Sequence, residues 1–136
     1  MDKMPIVSDF MDHEFVKFTP DMSVATAIES LLKHAMTGAV VTNNQNELVG
    51  VLSEKECLQK ITQDAYHRTP EGSVADYMQT DGIQTIAPDT DIIEASQAFV
   101  KNTFRRMPVV QDGKVVGQIT RRDILRGMQD FYQQRN

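Results

Sequence analysis

The sequence predicts an α/β (α+β) chain made of two copies of one β-α-β-β-α plan, and three observations predict it. Val7-Ser8-Asp9-Phe10-Met11 returns as Val74-Ala75-Asp76-Tyr77-Met78, and Leu48-Val49-Gly50-Val51-Leu52-Ser53 returns as Val115-Val116-Gly117-Gln118-Ile119-Thr120. Thr19-Pro20-Asp21 likewise returns as Ala87-Pro88-Asp89. The offset stays at 67 or 68 (Val7 to Val74 is 67, Thr19 to Ala87 is 68), which marks a duplication rather than a solenoid of many units. Within each copy, short apolar runs alternate with stripes of helical period. Finally, a unit of about 60 residues can hardly bury both a sheet and its helices alone. The copies are therefore expected to pack about a pseudo-twofold axis as one globular module. The first copy spans 7–63, a linker 64–73 and the second copy 74–132.

Each element has a local reason. Strands are expected at Phe15 to Phe18 and at Ile83 to Ile86, each closed by a proline that lacks a ladder donor. In the first copy Ser23 is placed to cap a helix with the stripe Val24, Ala27, Ile28 and Leu31. In the second, Asp91 caps and Glu94 takes the capping-box position, with Ile92, Ala95 and Phe99 as the stripe. Hairpins follow: Ala39 to Thr42 turns at Asn43-Asn44-Gln45-Asn46, and Met107 to Val110 turns at Gln111-Asp112-Gly113. A helix from Glu54 to about Gln63 ends the first copy, before the breaker cluster Thr69-Pro70-Glu71-Gly72-Ser73. The last helix carries Ile124, Leu125, Met128, Phe131 and Tyr132 on one face.

Composition bounds the function. The chain has 136 residues, 40% of them hydrophobic and 24% charged, as in a soluble globular domain. No apolar run approaches the roughly 18 residues of a membrane span, and Met1-Asp2-Lys3-Met4-Pro5 lacks the blocks of a signal peptide. The single cysteine, Cys57, excludes an internal disulfide and fits a reducing compartment, so a cytoplasmic location is expected. Cys57 aligns with Ile124 and reads as a small buried hydrophobe. A net charge of −5 without interleaved exposed aromatics argues against nucleic-acid binding. Five of the seven arginines nevertheless lie between Arg105 and Arg126, which suggests a local anion site. His13, His34 and His67 are scattered surface histidines without ligand spacing, so no metal site is expected. There is no phosphate-loop motif and no evident nucleophile set; no catalytic residue is assigned and the chain is not read as an enzyme.

The start of the last helix concentrates the chemistry. Thr120 is a good N-cap, and Asp123 stands three residues later as in a capping box. Arg121 and Arg122 occupy the first turn, where the positive end of the helix dipole disfavours cations. Two readings stay open on these residues alone. One is an ordinary capped helix with solvated arginines; the other is a cradle of hydroxyl, backbone N–H and guanidinium groups for phosphate.

The doubled plan, with Asp9-Phe10-Met11, Asp76-Tyr77-Met78, Met107-Pro108-Val109-Val110 and Gly117-Gln118-Ile119-Thr120-Arg121-Arg122-Asp123, resembles a tandem pair of CBS domains, the modules named after cystathionine β-synthase. The resemblance covers about Val7 to Phe131 and implies a regulatory sensor with clefts for adenosyl ligands such as AMP, ADP, ATP or S-adenosylmethionine. It implies that Asp123 binds the ribose hydroxyls and Thr120 the phosphate, with Arg106 reaching phosphate and Arg105 assisting. Adenine is then expected against Phe18, Thr19 and Val24 of the opposite copy. The first copy departs from this pattern. Ser53 keeps the hydroxyl, but Glu56 replaces the aspartate, and Thr37-Gly38 stand where the second copy has Arg105-Arg106. Ser53, Glu56 and Gly38 are read as a structural cap or a weaker second site. No cofactor is required on this reading; an adenine nucleotide is the regulatory ligand. A homodimer and an unidentified effector protein are the expected partners. A ligand-independent dimerisation scaffold and a module for S-adenosylmethionine are the alternatives.

Overall fold

In the computed structural model, which describes residues 3–63 and 70–135, apolar runs flanking each turn form two small sheets. β1 (Lys17–Phe18), β2 (Gly38–Thr42) and β3 (Leu48–Ser53) form one, with β1 parallel and β3 antiparallel to β2. β4 (Arg106–Gln111) and β5 (Lys114–Thr120) form an antiparallel pair. Only Asp112 and Gly113 separate them, at φ of 53° and 80°, the double positive φ that makes Asp-Gly a favoured two-residue hairpin. The helices are α1 (Val24–Lys33), α2 (Glu54–Gln63), α3 (Val74–Tyr77), α4 (Ile92–Lys101) and α5 (Arg121–Arg135). Residues 64–69 of the expected linker, and His67 among them, lie outside the described residues.

The first strand of each copy is shorter than expected. In the first copy it shrinks from Phe15–Phe18 to Lys17–Phe18, and in the second, Ile83–Ile86 keeps only a parallel bridge between Ile86 and Val109. Ile86 N–H donates to Pro108 O (3.1 Å) and Val110 N–H to Ile86 O (2.9 Å). The next rung back needs an N–H on residue 108, which proline lacks. Val40 holds that place in the first copy, and there the ladder gains the Lys17–Val40 pair.

The helices bury the predicted stripes. Val24, Ala27 and Leu31 of α1, and Ile92, Ala95 and Phe99 of α4, are all buried. Asp91 caps α4 by accepting from Glu94 N–H (2.8 Å). Ser23 makes no such side-chain bond; Val24 N–H donates instead to Gly72 O (3.0 Å), so backbone takes the place of the expected cap. In α5 the buried stripe is narrower than expected. Ile124 and Phe131 are buried, whereas Leu125 and Tyr132, a helical step to one side, are exposed.

Two compact units result, Val16–Ile83 and Met1–Phe15 with Gln84–Asn136, and they do not coincide with the sequence copies. The lead-in segments are exchanged. Val7 and Met11 pack with Ile92, Ala95, Phe99 and Ile119, while Val74 and Tyr77 pack with Phe18, Val24, Leu31 and Leu52. The backbone repeats the exchange bond for bond. Val7 N–H donates to Thr90 O, Ser8 N–H to Pro88 O and Ile92 N–H to Pro5 O, each at 2.9 Å. Val74 N–H donates to Met22 O (2.8 Å) and Ala75 N–H to Pro20 O (2.9 Å), the same positions in the other unit. Val7 and Val74 are wholly buried, a contribution of about 1.5–3 kcal/mol each. Glycines admit the lead-ins. A Cβ on Gly117 would stand 2.8 Å from both Asp12 O and Met11 Sδ, and one on Gly50 would stand 2.6 Å from Met78 Sδ.

Candidate functional site

The hairpin delivers the chain to the second copy's helix start. β5 ends at Thr120, α5 begins at Arg121, and the β4–β5 register sets Arg106 opposite Thr120. Asp123 N–H donates to Thr120 Oγ1 (3.2 Å), and Thr120 N–H donates to Asp123 Oδ2 (2.9 Å). This is a reciprocal capping box, which satisfies two backbone donors and fixes the carboxylate at the head of the helix. The Asp123 side chain is 13% exposed. Its other oxygen, Oδ1, accepts from Arg126 Nη2 at 2.7 Å, and the same nitrogen donates to Phe10 O at 3.2 Å. Arg105, Arg121 and Arg122 are exposed and Arg106 is half-buried. Thr120, Asp123 and Arg126 are thus in contact, Arg106 is in register with them, and Arg121 and Arg122 occupy the first turn. Arg126 did not stand out as a site residue in the sequence. Its signal was the i,i+3 spacing from Asp123, which places a cation over a carboxylate on one helix face.

The first copy builds a different helix start from matching positions. Ser53 N–H and Ser53 Oγ both donate to Glu56 Oε1, at 3.0 and 2.5 Å. The serine hydroxyl here is a donor to its carboxylate, whereas the Thr120 hydroxyl accepts from the helix backbone. Glu54 N–H, at the first position of α2, already donates to Thr37 O (2.9 Å). Gly38 is buried opposite Ser53, and a Cβ there would meet Leu52 O at 3.0 Å and Ser53 Cα at 3.2 Å. A side chain at that position, where the second copy carries Arg106, would crowd the neighbouring strand. Cys57 follows, buried as expected. Desolvation by burial pushes its thiol above the ordinary value, and the negative charges of Glu56 and Glu54 push it the same way. The start of α2 is therefore anionic where that of α5 is cationic.

Phe18, Thr19 and Val24 belong to the unit that holds the first sheet. Phe18 and Val24 are 1% and 0% exposed and their side chains belong to that unit's core. Thr19 is exposed. Among the described residues, no group of three or more His, Cys, Asp or Glu is placed to hold a metal ion, and no helix is long and apolar enough to cross a membrane.

Residues 7–63 and 74–130 each match the CBS domain family. The chain belongs to that family. Among solved structures, this CBS pair is similar to the CBS-pair protein CBSX2 of Arabidopsis thaliana, at 28% identity, TM-score 0.79, and coverage of 96% of this chain and 99% of that one. A CBSX2 structure in complex with AMP matches at 30% identity and TM-score 0.79, over 93% of this chain and 98% of that one. Among curated relatives, a 17.7 kDa protein of Acidianus ambivalens is 28% identical over 114 residues, 83% of this chain and 66% of its own length. The A-adding tRNA nucleotidyltransferase of Aquifex aeolicus is 30% identical over 124 residues, 91% of this chain but 14% of the enzyme. The CBS pair thus spans less than two thirds of the curated relatives it matches first.

Proposed function

We propose that this CBS pair is a regulatory module that binds an adenine nucleotide of the AMP, ADP or ATP type at the start of α5. Asp123 takes the ribose hydroxyls. Thr120 and Arg106 take phosphate, assisted by Arg105, Arg121 and Arg122; Phe18, Thr19 and Val24 are the residues proposed for adenine, the first and last through backbone because their side chains are buried. The observation that carries this reading is the Thr120–Asp123 pair, held in place with Arg106 in register beside it. The AMP complex of CBSX2, a CBS pair at 30% identity, supports the choice of ligand. Guanidinium groups match phosphate bidentately, and charge-assisted hydrogen bonds contribute about 1.5–3 kcal/mol each. Three or four of them support roughly micromolar affinity after the cost of association. The reading assigns no catalytic group, and its output passes through a partner protein.

Titration calorimetry with AMP, adenosine and S-adenosylmethionine tests the reading. AMP should bind tighter than adenosine, and the difference should shrink with salt. S-adenosylmethionine, whose sulfonium is positive, should bind more weakly than AMP. Equal affinity for adenosine and AMP at low salt would remove the arginines from the phosphate role. No binding of any of the three would leave a ligand-independent scaffold.

Self-association has its own observation. Large apolar side chains are exposed at matching positions of both copies: Leu32 (73%) and Val100 (85%), Leu58 (64%) and Leu125 (70%). Tyr132 extends the set on α5 at 56%. Repeated exposure of this kind favours a partner that presents the same faces, a second copy of the chain. Sedimentation that shows only a 15.4 kDa species at tens of micromolar, with and without nucleotide, would exclude the homodimer.

A further inference from the structure

The geometry points to Arg126 as the residue that positions Asp123 for ribose, an inference that rests on the nucleotide reading above. A carboxylate offers about four lone-pair sites on its two oxygens. In Asp123, Thr120 N–H holds Oδ2 and Arg126 holds Oδ1, one bond on each. One site per oxygen then remains, which is what a pair of adjacent hydroxyls requires. Neither holder suffices alone. The cap restrains Oδ2 through a single bond, which still lets the carboxylate rock about its last torsion, soft for aspartate. The Arg126 bond stops that turn, and its anchor is backbone: Nη2 also donates to Phe10 O at 3.2 Å.

The surroundings are built to hold Arg126 in this place. Gly127 follows it, and a Cβ there would stand 2.6 Å from Ile92 Cδ1 and 3.2 Å from Phe10 Cδ2. Glycine in a helix interior costs about 1 kcal/mol relative to alanine. Here it admits the close approach of α5 to Ile92 and Phe10 that brings the guanidinium to the Phe10 carbonyl. The first copy has Gln59-Lys60 at these two places. There Lys60 Nζ lies 6.0 Å from the ring centroid of Tyr77, the counterpart of Phe10, and among the described residues no arginine forms an ion pair with Glu56.

A positioning role predicts a loss of sugar discrimination, where a merely structural role predicts a loss of stability and a phosphate role predicts a loss of salt dependence. Titration calorimetry of AMP and 2′-deoxy-AMP on the wild type and on Arg126→Gln and Arg126→Lys separates them. The wild type should prefer AMP by about tenfold, the worth of one charge-assisted hydroxyl bond. Arg126→Gln should shrink that preference to about twofold or less, mainly by weakening AMP. Arg126→Lys, whose ammonium can still bridge the carboxylate and the Phe10 carbonyl, should restore part of it. If the wild type binds both nucleotides equally, the assignment of Asp123 to ribose fails. If the wild type discriminates and Arg126→Gln keeps the full ratio, or weakens both ligands alike, Arg126 does not position Asp123. Thermal unfolding of the glutamine variant, with a midpoint near that of the wild type, guards against reading misfolding as lost discrimination.

Discussion

The two helix starts of this CBS pair descend from one pattern, hydroxyl-x-x-carboxylate after a glycine-bearing strand, and they do opposite things. At α5 the hydroxyl accepts from the helix backbone, the carboxylate is shared with a guanidinium, and an arginine stands across the strand. At α2 the hydroxyl donates to the Glu56 carboxylate, the first helical N–H is already bonded, and the position across the strand is a glycine where a side chain would be crowded. Burial raises the thiol of Cys57, and the carboxylates of Glu56 and Glu54 raise it further. A shared hydroxyl-x-x-carboxylate pattern therefore does not fix the chemistry of a helix start. What separates the two sites is the charge around the cap and the space opposite it.

The strongest way to break this comparison is to remove each carboxylate. Asp123→Ala should lower AMP affinity at least a hundredfold, because two charge-assisted bonds at about 1.5–3 kcal/mol each are lost. Glu56→Ala should leave tight binding nearly intact. Calorimetry on both variants decides it, and two equal sites per chain in the unmodified protein would refute the asymmetry.

A second comparison sets the two strand glycines against each other. Gly117→Ala should destabilise by about 1–3 kcal/mol, since its Cβ would meet the Asp12 carbonyl, which cannot move alone. Gly50→Ala should cost less, because the nearest obstacle is the flexible Met78 side chain and the carbonyl of Gln79 lies further off, at 3.0 Å. Urea unfolding midpoints measure both, and equal losses would show that the two lead-ins are held with the same rigidity.

A smaller difference is expected where Lys60 and Gly127 occupy matching places. Lys60→Ala should lose at most about 0.5–1 kcal/mol, the worth of its approach to the Tyr77 ring, and helix propensity will recover part of that. Gly127→Ala should cost more, since Ile92 must move aside. Thermal melts of the two variants give the order.

The smallest effect concerns Cys57, whose folded thiol titrates above the ordinary 9.0. The unfolded chain ionises first, so stability from this group is complete below pH 9.0 and is lost as pH rises toward the folded value. Cys57→Val should flatten the alkaline limb of a stability–pH curve relative to the wild type, and unchanged curvature would remove this contribution.

Much of this was legible in the sequence, for identifiable reasons. Duplication, helix stripes and the Asp-Gly hairpin are local or periodic, and local rules read them. The Thr120–Asp123 pair was legible because a capping box is a four-residue pattern. The exchange of lead-ins was not. Val7–Met11 and Val74–Met78 carry the same pattern, so nothing in either segment says which core it will join. The strand at Ile83–Ile86 was over-read because its ladder depends on a donor at Pro108, more than twenty residues away. Arg126 was passed over because attention to the helix dipole stops at the first turn, while its partnership with Asp123 and Phe10 is a matter of tertiary approach.

The exchanged lead-ins bear on how the chain comes off the ribosome. Val16–Ile83 is continuous, and every backbone bond that ties α3 to the loop before α1 lies within it. It can close as soon as its own C-terminal end emerges. The other unit joins Met1–Phe15 to Gln84–Asn136, so its leading segment waits for a partner made more than 65 residues later. Contacts of such long sequence separation are entropically slow to form. Until those partners are made, Val7 and Met11 remain apolar and uncovered, a transient surface of the kind chaperones hold. The unit that carries Asp123 is thus completed after the other, and a chain stalled before α5 would present the anionic helix start without the cationic one.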